Sequence, residues 1–436
     1  MNLEGKKVLI YGSGKSGQGA AELLKKVGAV PEIFDDSMGS PEGIPEGIPS
    51  SYDLLVMSPG VPTDLPRVED FRAAGVRIWG EVELAYETGK GRVLAVTGTN
   101  GKTTTTSLLG EIMKAWEKEV YVVGNIGTAY TSVALDTTEH STVVAEISSF
   151  QLETIERFRP EVSAILNITE DHLNRHHTME EYIRVKEGIT KNQDRTCTCV
   201  LNYEDETLRK FAETCPASVL FFSSERELEE GFCLIGDEIV LKEKQEKKLL
   251  VRTGELQLIG KHNFENVMAA SAMAYRAGVP LETVASAAKK FKAVEHRIEY
   301  SGTVNGVLWY NDSKGTNPDA AIKGIQAMKW PTFLIAGGYD KGSDYHEWIR
   351  SFDGKVKCLV LEGKTKEDIR RAALECGYPE AQIVMKENMN EAMEYCASHA
   401  EPGDAVLLSP ACASWGEFPN YEVRGKEFKE FVKRLA

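Results

Sequence analysis

Several things are scarce in this chain of 436 residues, and each scarcity removes a class of function. Met1 to Gly5 lead straight into the apolar run Val8 to Tyr11, without the charged n-region, longer apolar stretch and cleavage site of a secretory signal. No apolar run approaches the roughly 20 residues a membrane helix needs. A soluble, cytoplasmic protein is expected. The eight cysteines (Cys197, Cys199, Cys215, Cys233, Cys358, Cys376, Cys396 and Cys412) contain no CxxC pair, which argues against a zinc site or a disulfide framework. Reduced, structural thiols are the reading, and no sequence neighbour marks Cys412 as a nucleophile. Positive charge is in deficit: 51 basic against 66 acidic residues give −15. That balance offers no support for a nucleic-acid or anionic-membrane partner, so an anionic substrate needs local positive sites.

What is present suits a globular enzyme. Hydrophobic residues at 42% and charged residues at 27% allow several cores, and the length suggests two to four domains. Short β-rich runs alternate with helical patterns throughout, the signature of α/β domains with parallel sheets. Three domains are expected, at residues 1–91, 92–294 and 295–436, with the polar, glycine-bearing stretch Glu87 to Arg92 as the first linker. The first block holds strands near Lys7–Tyr11, Val30–Phe34 and Asp53–Met57. The second opens with Val93–Val96 and a helix from Lys102, continues through Thr142–Ile147, Val162–Ile168 and Thr196–Leu201, and closes with a helix near Asn263–Ala277. The third has strands at Val307–Asn311, Thr332–Ile335, Val356–Leu361 and Ala405–Leu408.

Two glycine-rich turns follow predicted strands and open helices. In Gly12-Ser13-Gly14-Lys15-Ser16-Gly17 the backbone N–H groups can approach a pyrophosphate, and Asp35 and Asp36 after the next strand can accept a ribose hydroxyl. Packing alone is the alternative. The turn Thr97-Gly98-Thr99-Asn100-Gly101-Lys102-Thr103, followed by Thr104, resembles a P-loop: Lys102 suits the β and γ phosphates and Thr103 a magnesium ion. It departs from the usual pattern at Val96, where glycine is the rule five residues before the Gly-Lys pair.

Two further segments sit at strand C-termini, the edge where ligands bind in parallel sheets. Glu146-Ile147-Ser148-Ser149-Phe150-Gln151 and Asn167-Ile168-Thr169-Glu170-Asp171-His172 offer Glu146 and His172 for metal-bound phosphates. Helix capping by Ser148 and Asp171 is the alternative. Lys186 lies on a helix beginning near Thr178, where a surface lysine is the default reading.

Taken together, TGTNGKTT, GNIG at Gly124 to Gly127, EISSFQLE, NITEDHLNRH, GKHNFENVMAA from Gly260, EHRIE from Glu295 and NDSKGTNPDAA from Asn311 resemble the Mur ligases, the ATP-dependent family that builds the peptidoglycan peptide. The resemblance spans nearly the whole chain. It implies Rossmann-like N- and C-terminal domains around a central P-loop ATPase domain, and a monomer acting on small molecules. Folylpolyglutamate synthases share the ATPase core, so the ends decide the substrate. Ser58-Pro59-Gly60-Val61, Gly337 to Gly342 and Leu407 to Ser414 resemble members that add D-glutamate to UDP-N-acetylmuramoyl-L-alanine. By this resemblance, Gly98 to Thr104, Asn263, Asn266, His296, Arg297 and Asp312 bind ATP. Thr103, Glu146, His172 and Lys186 serve two Mg2+ ions, with Lys186 carbamylated by CO2. Gly14, Lys15, Ser16, Asp35, Asp36, Ser58, Pro59, Gly60, Asn125 and Ser148 take the UDP-substrate. Lys314 joins Lys102, Glu146, His172 and Lys186 at the reacting centre, and Thr316, Lys341, Ser414, Trp415 and Tyr421 take D-glutamate. Trp415 and Tyr421 depart from the family, where a smaller apolar residue and phenylalanine are expected. Rival readings are an NAD-dependent oxidoreductase, which leaves the P-loop unexplained, a non-catalytic nucleotide-binding regulator, and a ligase for another amino acid.

Overall fold

Three runs of alternating strand and helix close into three sheets. The computed structural model describes residues 2–36, 49–339 and 342–435. The first sheet has β1 (Lys7–Tyr11), β2 (Val30–Phe34), β3 (Leu54–Met57) and β4 (Arg77–Gly80), all parallel in the order β2-β1-β3-β4. Its central strands read as unbroken apolar runs because both faces are covered: all four residues of β3 are buried. Helices α1 (Lys15–Lys26), α2 (Pro66–Ala73, proline in its first turn) and α3 (Glu81–Thr88) return the chain between strands. The strand order reverses between β1 and β3, which opens a crevice beyond their carboxyl ends.

The second sheet has β5 (Arg92–Thr97), β6 (Val120–Gly124), β7 (Thr142–Glu146), β8 (Val162–Ile165), β9 (Thr198–Asn202), β10 (Ser218–Ser223), β11 (Gly231–Ile235), β12 (Glu238–Glu243) and β13 (Glu246–Arg252), ordered β13-β12-β11-β10-β9-β8-β5-β7-β6. Six neighbouring pairs are parallel, and β11-β12-β13 finish as an antiparallel meander. Strand β5 lies inside the sheet, between β8 and β7, and its Leu94, Ala95 and Val96 are fully buried. Each large aliphatic side chain removed from water in this way contributes roughly 1.5–3 kcal/mol. Helices α4 (Lys102–Lys114), α5 (Ser149–Leu152), α6 (Leu173–His176), α7 (Met179–Glu187), α8 (Glu206–Ala212), α9 (Lys261–Arg276) and α10 (Leu281–Lys290) accompany it.

The third sheet is ordered β14-β15-β19-β16-β17-β18, with β14 (Glu299–Val304) antiparallel to β15 (Val307–Asn311). Strands β15, β16 (Thr332–Gly338), β17 (Val356–Gly363), β18 (Ile383–Met385) and β19 (Ala405–Leu408) run parallel. Its core lies on both faces, around Leu334, Leu359 and Leu407 on one and Ile335, Val360 and Phe428 on the other.

The chain parts into two compact units, Met1–Glu255 with Phe264–Lys290, and Leu256–Asn263 with Phe291–Ala436. The first two sheets therefore share a unit. Buried carboxylates of α3 join them: Glu83 accepts the N–H groups of Glu156, Arg157 and Phe158 at 2.9, 2.7 and 3.0 Å. Glu81 Oε1 accepts the N–H and hydroxyl of Thr131 at 2.9 and 3.1 Å. Burial still drives both carboxyl pKa values up. No helix among the described residues is long and apolar enough to cross a membrane.

Candidate active site

The turn after β5 is held from two sides. Asn167, just beyond β8, acts as a substitute strand for it: its C=O accepts Thr99 N–H (2.9 Å), its Oδ1 accepts Asn100 N–H (2.8 Å), and its Nδ2 donates to Asn100 C=O (3.1 Å). Gly101 has φ +88°, and a Cβ there would stand 2.3 Å from Asn266 Oδ1 on α9, so only glycine lets that helix pack on the turn. Lys102 opens α4, and its ammonium donates to the carbonyls of Gly98 and Thr99, both at 2.9 Å. Thr103 follows on α4, and Thr104 is buried beneath it.

Strand order brings the flanking motifs to this turn, because β8 lies on one side of β5 and β7 on the other, with β6 next to β7. Glu146 at the end of β7 is 1% exposed. Its Oε1 accepts Asn125 Nδ2 (2.9 Å), whereas its buried Oε2 has no hydrogen-bond partner in the protein. Ser148 is the N-cap of α5 in a capping box with Gln151. Asp171 does not cap α6; its carboxylate accepts His172 N–H (2.9 Å). His172 has φ 55° and a side chain 48% exposed at the same edge, its ring 4.9 Å from that of Phe150.

Lys186 is not a surface residue. It is 1% exposed, its ammonium donates to Gly98 C=O at 2.8 Å, and it lies 4.6 Å over the Tyr182 ring. Two lysines thus share one carbonyl oxygen. Burial, and then the Lys102 charge, push the Lys186 pKa well down, with Asp171 opposing. Asn167 heads one of the sequence motifs, but neither its hold on the turn nor the meeting of the Tyr182 hydroxyl with Thr99 Oγ1 at 3.1 Å could be read from sequence.

At the first sheet, Gly12 (φ +109°) lies so close to Ser58 that a Cβ would stand 2.6 Å from the serine side chain. Ser13 N–H and Oγ–H both donate to Asp35 Oδ2 at 2.7 Å. Lys15 and Ser16 begin α1 behind Gly14. Ser58, Pro59 and Val61 line a groove with Glu81, Phe150 and Arg175. Gly60 follows Pro59 on the same turn, at the carboxyl end of β3. Arg175 fixes this wall by donating to Val61 C=O (2.8 Å) and to Glu153 (2.6 Å).

In the C-terminal unit, His296 is buried with φ 67°, and its Nδ1 pairs with Asn311 Nδ2 at 3.0 Å. Arg297 beside it keeps a buried Nε without a partner. Asp312 is buried with Ser409 Oγ donating to it at 2.7 Å and Ile298 N–H at 3.3 Å, and burial raises its pKa to about 7. Asn263 donates to Ile259 C=O at 2.7 Å. Lys314 lies 5.5 Å over the Tyr421 ring, and Thr316 N–H donates to Lys314 C=O. Ser414 is buried, while Trp415 is 54% exposed and packs on Tyr339 at 5.8 Å. Lys341 lies outside the described residues. Sequence reasoning missed Arg424, whose buried guanidinium donates to Ser313 Oγ (3.0 Å), Ser313 C=O (2.9 Å) and Cys412 C=O (3.2 Å), binding the segments that precede Lys314 and Ser414. A lone arginine on an amphipathic helix gives no sequence signal of such a role.

Residues 96–274 match the Mur ligase middle domain, and residues 296–412 match the Mur ligase, glutamate ligase domain. The UDP-N-acetylmuramoylalanine--D-glutamate ligase of Lachnoclostridium phytofermentans is 52% identical, covering 100% of this chain and 99% of its own. The chain belongs to the Mur ligase family. Another relative of this Mur ligase, the UDP-N-acetylmuramoylalanine--D-glutamate ligase of Clostridioides difficile, is 44% identical with 100% of both chains covered. Among solved structures, the UDP-N-acetylmuramate-alanine ligase of Thermotoga maritima superposes with a TM-score of 0.63 at 19% identity, covering 99% of this chain and 100% of that one. The MurF ligase of Thermotoga maritima in complex with ADP gives 0.62 at 18%, covering 100% and 96%. These two likenesses establish the α/β fold over nearly the whole chain.

Proposed function

We propose that this Mur ligase joins D-glutamate to UDP-N-acetylmuramoyl-L-alanine in peptidoglycan precursor synthesis, forming ADP and phosphate. The full-length likeness to D-glutamate ligases carries this reading. An oxygen of the alanine carboxylate attacks the γ-phosphorus of ATP, whose bond to the bridging oxygen breaks as ADP leaves. The D-glutamate amine then attacks the acyl carbon, and collapse of the tetrahedral intermediate expels phosphate while the amine loses its proton. Free carboxylate is a poor electrophile, so the phosphoryl group supplies the leaving group, and positioned donors offset the developing charge.

The turn amides and Lys102 are assigned to the β and γ phosphates; the ammonium, bound to two carbonyls here, would exchange them for phosphate oxygens. The lone Oε2 of Glu146 is an unmet buried acceptor, which suits a hard cation. Among the described residues no three His, Cys, Asp or Glu side chains cluster for a metal, so Mg2+ here would take Glu146 and Thr103 together with phosphate oxygens and water, and a second ion would take His172. Bound magnesium supplies charge neutralisation at the transferred phosphoryl group. Lys186 is proposed to react as the free amine with CO2: an N–C bond forms, one proton leaves to solvent, and the carbamate carries a negative charge. That reaction replaces a neutral amine beside the Lys102 ammonium with a negative charge that attracts it.

Arg297 and Asp312, with Asn263, Asn266 and His296, are assigned to the nucleotide. Lys314, Thr316, Ser414 and Lys341 are assigned to D-glutamate, with Trp415 and Tyr421 as apolar wall. Asn125 and Ser148 remain with the UDP-substrate, along with the residues of the first crevice. The enzyme is proposed to act as a cytoplasmic monomer. Phosphate release with UDP-N-acetylmuramoyl-L-alanine should require D-glutamate among a panel of amino acids. Equal turnover with L-glutamate, or with UDP-N-acetylmuramate plus L-alanine, would sink the assignment.

A further inference from the structure

The carboxyl edge of the first sheet holds a polar cluster around Asp36 whose arginine, Arg67, has no part in the reaction as described. Asp36, just past β2, has both oxygens engaged inside the protein: Oδ2 accepts the Tyr11 hydroxyl and Oδ1 accepts Arg67 Nη1, each at 2.6 Å. Arg67 comes from the first turn of α2, and its guanidinium carbon lies 5.0 Å from the centre of the Phe34 ring. The edge of Tyr11 supports that ring from elsewhere, with centroids 5.2 Å apart. Burial and the hydrogen bond to Asp36 raise the Tyr11 pKa to about 12, so it stays a donor at every working pH. The guanidinium is thereby fixed in position by a carboxylate on its rim and a ring beneath it, yet the Arg67 side chain is 37% exposed.

A guanidinium is planar, and its faces stack on aromatic planes. The glycine turn at the head of α1 suits the pyrophosphate. Asp35 and Asp36 after β2 mark the nucleoside end in a sheet of this topology. We propose that Arg67 is the platform on which the uracil ring of the UDP-substrate stacks, with Phe34 backing the guanidinium and Asp36 holding it in position. The proposal rests on the UDP-substrate reading above, and it names a specificity residue at the nucleoside end of that site. A stack of this kind is worth about tenfold to a hundredfold in affinity.

The test compares Arg67→Ala and Arg67→Lys with the unaltered enzyme, using UDP-N-acetylmuramoyl-L-alanine and a truncated substrate, 1-phospho-N-acetylmuramoyl-L-alanine, that lacks uridine. Both substitutions should raise the KM for the UDP-substrate about tenfold or more, because lysine keeps the charge and loses the plane. The KM values for ATP, D-glutamate and the truncated substrate should stay unchanged, and UMP binding by calorimetry should weaken in parallel. If Arg67→Ala is poorly folded because Asp36 loses its partner, the double variant Asp36→Asn/Arg67→Ala removes the stranded charge and should show the same selective loss. Restoration by lysine would mean a charge contact with phosphate and overturn the stack. Equal loss with the truncated substrate would reduce Arg67 to a structural role, and an unchanged UMP affinity would remove it from the site. UMP binding is measured without turnover, so failure of the ligase reading itself is read separately.

Discussion

The two glycine-rich turns share a local plan and differ in charge. Each follows a parallel strand, opens a helix, and needs glycine where another element packs close, Ser58 on Gly12 and Asn266 on Gly101. In the first, a carboxylate fills the turn: Asp35 takes both donors of Ser13. In the second, two ammonium groups converge on Gly98 C=O. Backbone geometry makes both turns capable of holding an anion, and the side chains decide which one holds the reacting phosphates. The first turn offers Asp35 as an acceptor beside backbone N–H groups that suit an unreactive pyrophosphate, and the lysine-filled turn favours transferable phosphate.

The sharpest way to break this contrast is to discharge the second turn. Lys102→Ala should lower kcat/KM by roughly a thousandfold or more while the melting temperature changes little, since removing one preorganised charge contact in a water-poor site costs that order. Loss of folding with it would assign Lys102 to structure. Next in size is the state of Lys186. With 13C-labelled bicarbonate, the active enzyme should show a carbamate carbon by NMR that Lys186→Ala abolishes together with most activity; an unmodified amine in the active, magnesium-bound enzyme would count decisively against it. Smaller again is the first turn: Asp35→Ala should raise the KM for the UDP-substrate about tenfold and leave that for ATP unchanged, the value of one hydrogen bond to a charged group.

The smallest effect concerns pH in the C-terminal unit. Unfolded aspartate loses its proton near pH 4, whereas buried Asp312 keeps it to about 7. The folded state therefore holds more protons between those values, and the stability tied to this group falls as pH rises through that window. Denaturant midpoints at pH 5 and pH 8 should differ less in Asp312→Asn than in the parent protein. An identical difference would mean that Asp312 is ionised throughout.

The parallel strands and both turns were legible because buried strands read as apolar runs and glycine marks each turn. Strand β1 has the bounds expected of it, and α4 begins at Lys102 as expected. The meander β11-β12-β13 was passed over. Its first hairpin carries a Gly236-Asp237 turn, a usable signal, but the second turns through Lys244 and Gln245 at φ 51° and 69°, conformations that tertiary pairing imposes without any glycine to announce them. At the candidate site, sequence could name residues inside motifs but not the partners that hold them. Arg424 and Tyr182 act through contacts made by remote segments, and Lys186 reads as exposed on a helix until the fold buries it under the turn.

The carboxylate of Glu83 bears on more than the seating of α3. Three consecutive main-chain donors of residues 156–158 close on it, and Arg175 adds a strut to Val61. The peptide between Gly89 and Gly91 is therefore not the only tether between the first sheet and the second. A protease that nicks this segment should leave two fragments that travel together through gel filtration and separate only in denaturant, much as a clipped hairpin stays closed when its strands remain zipped.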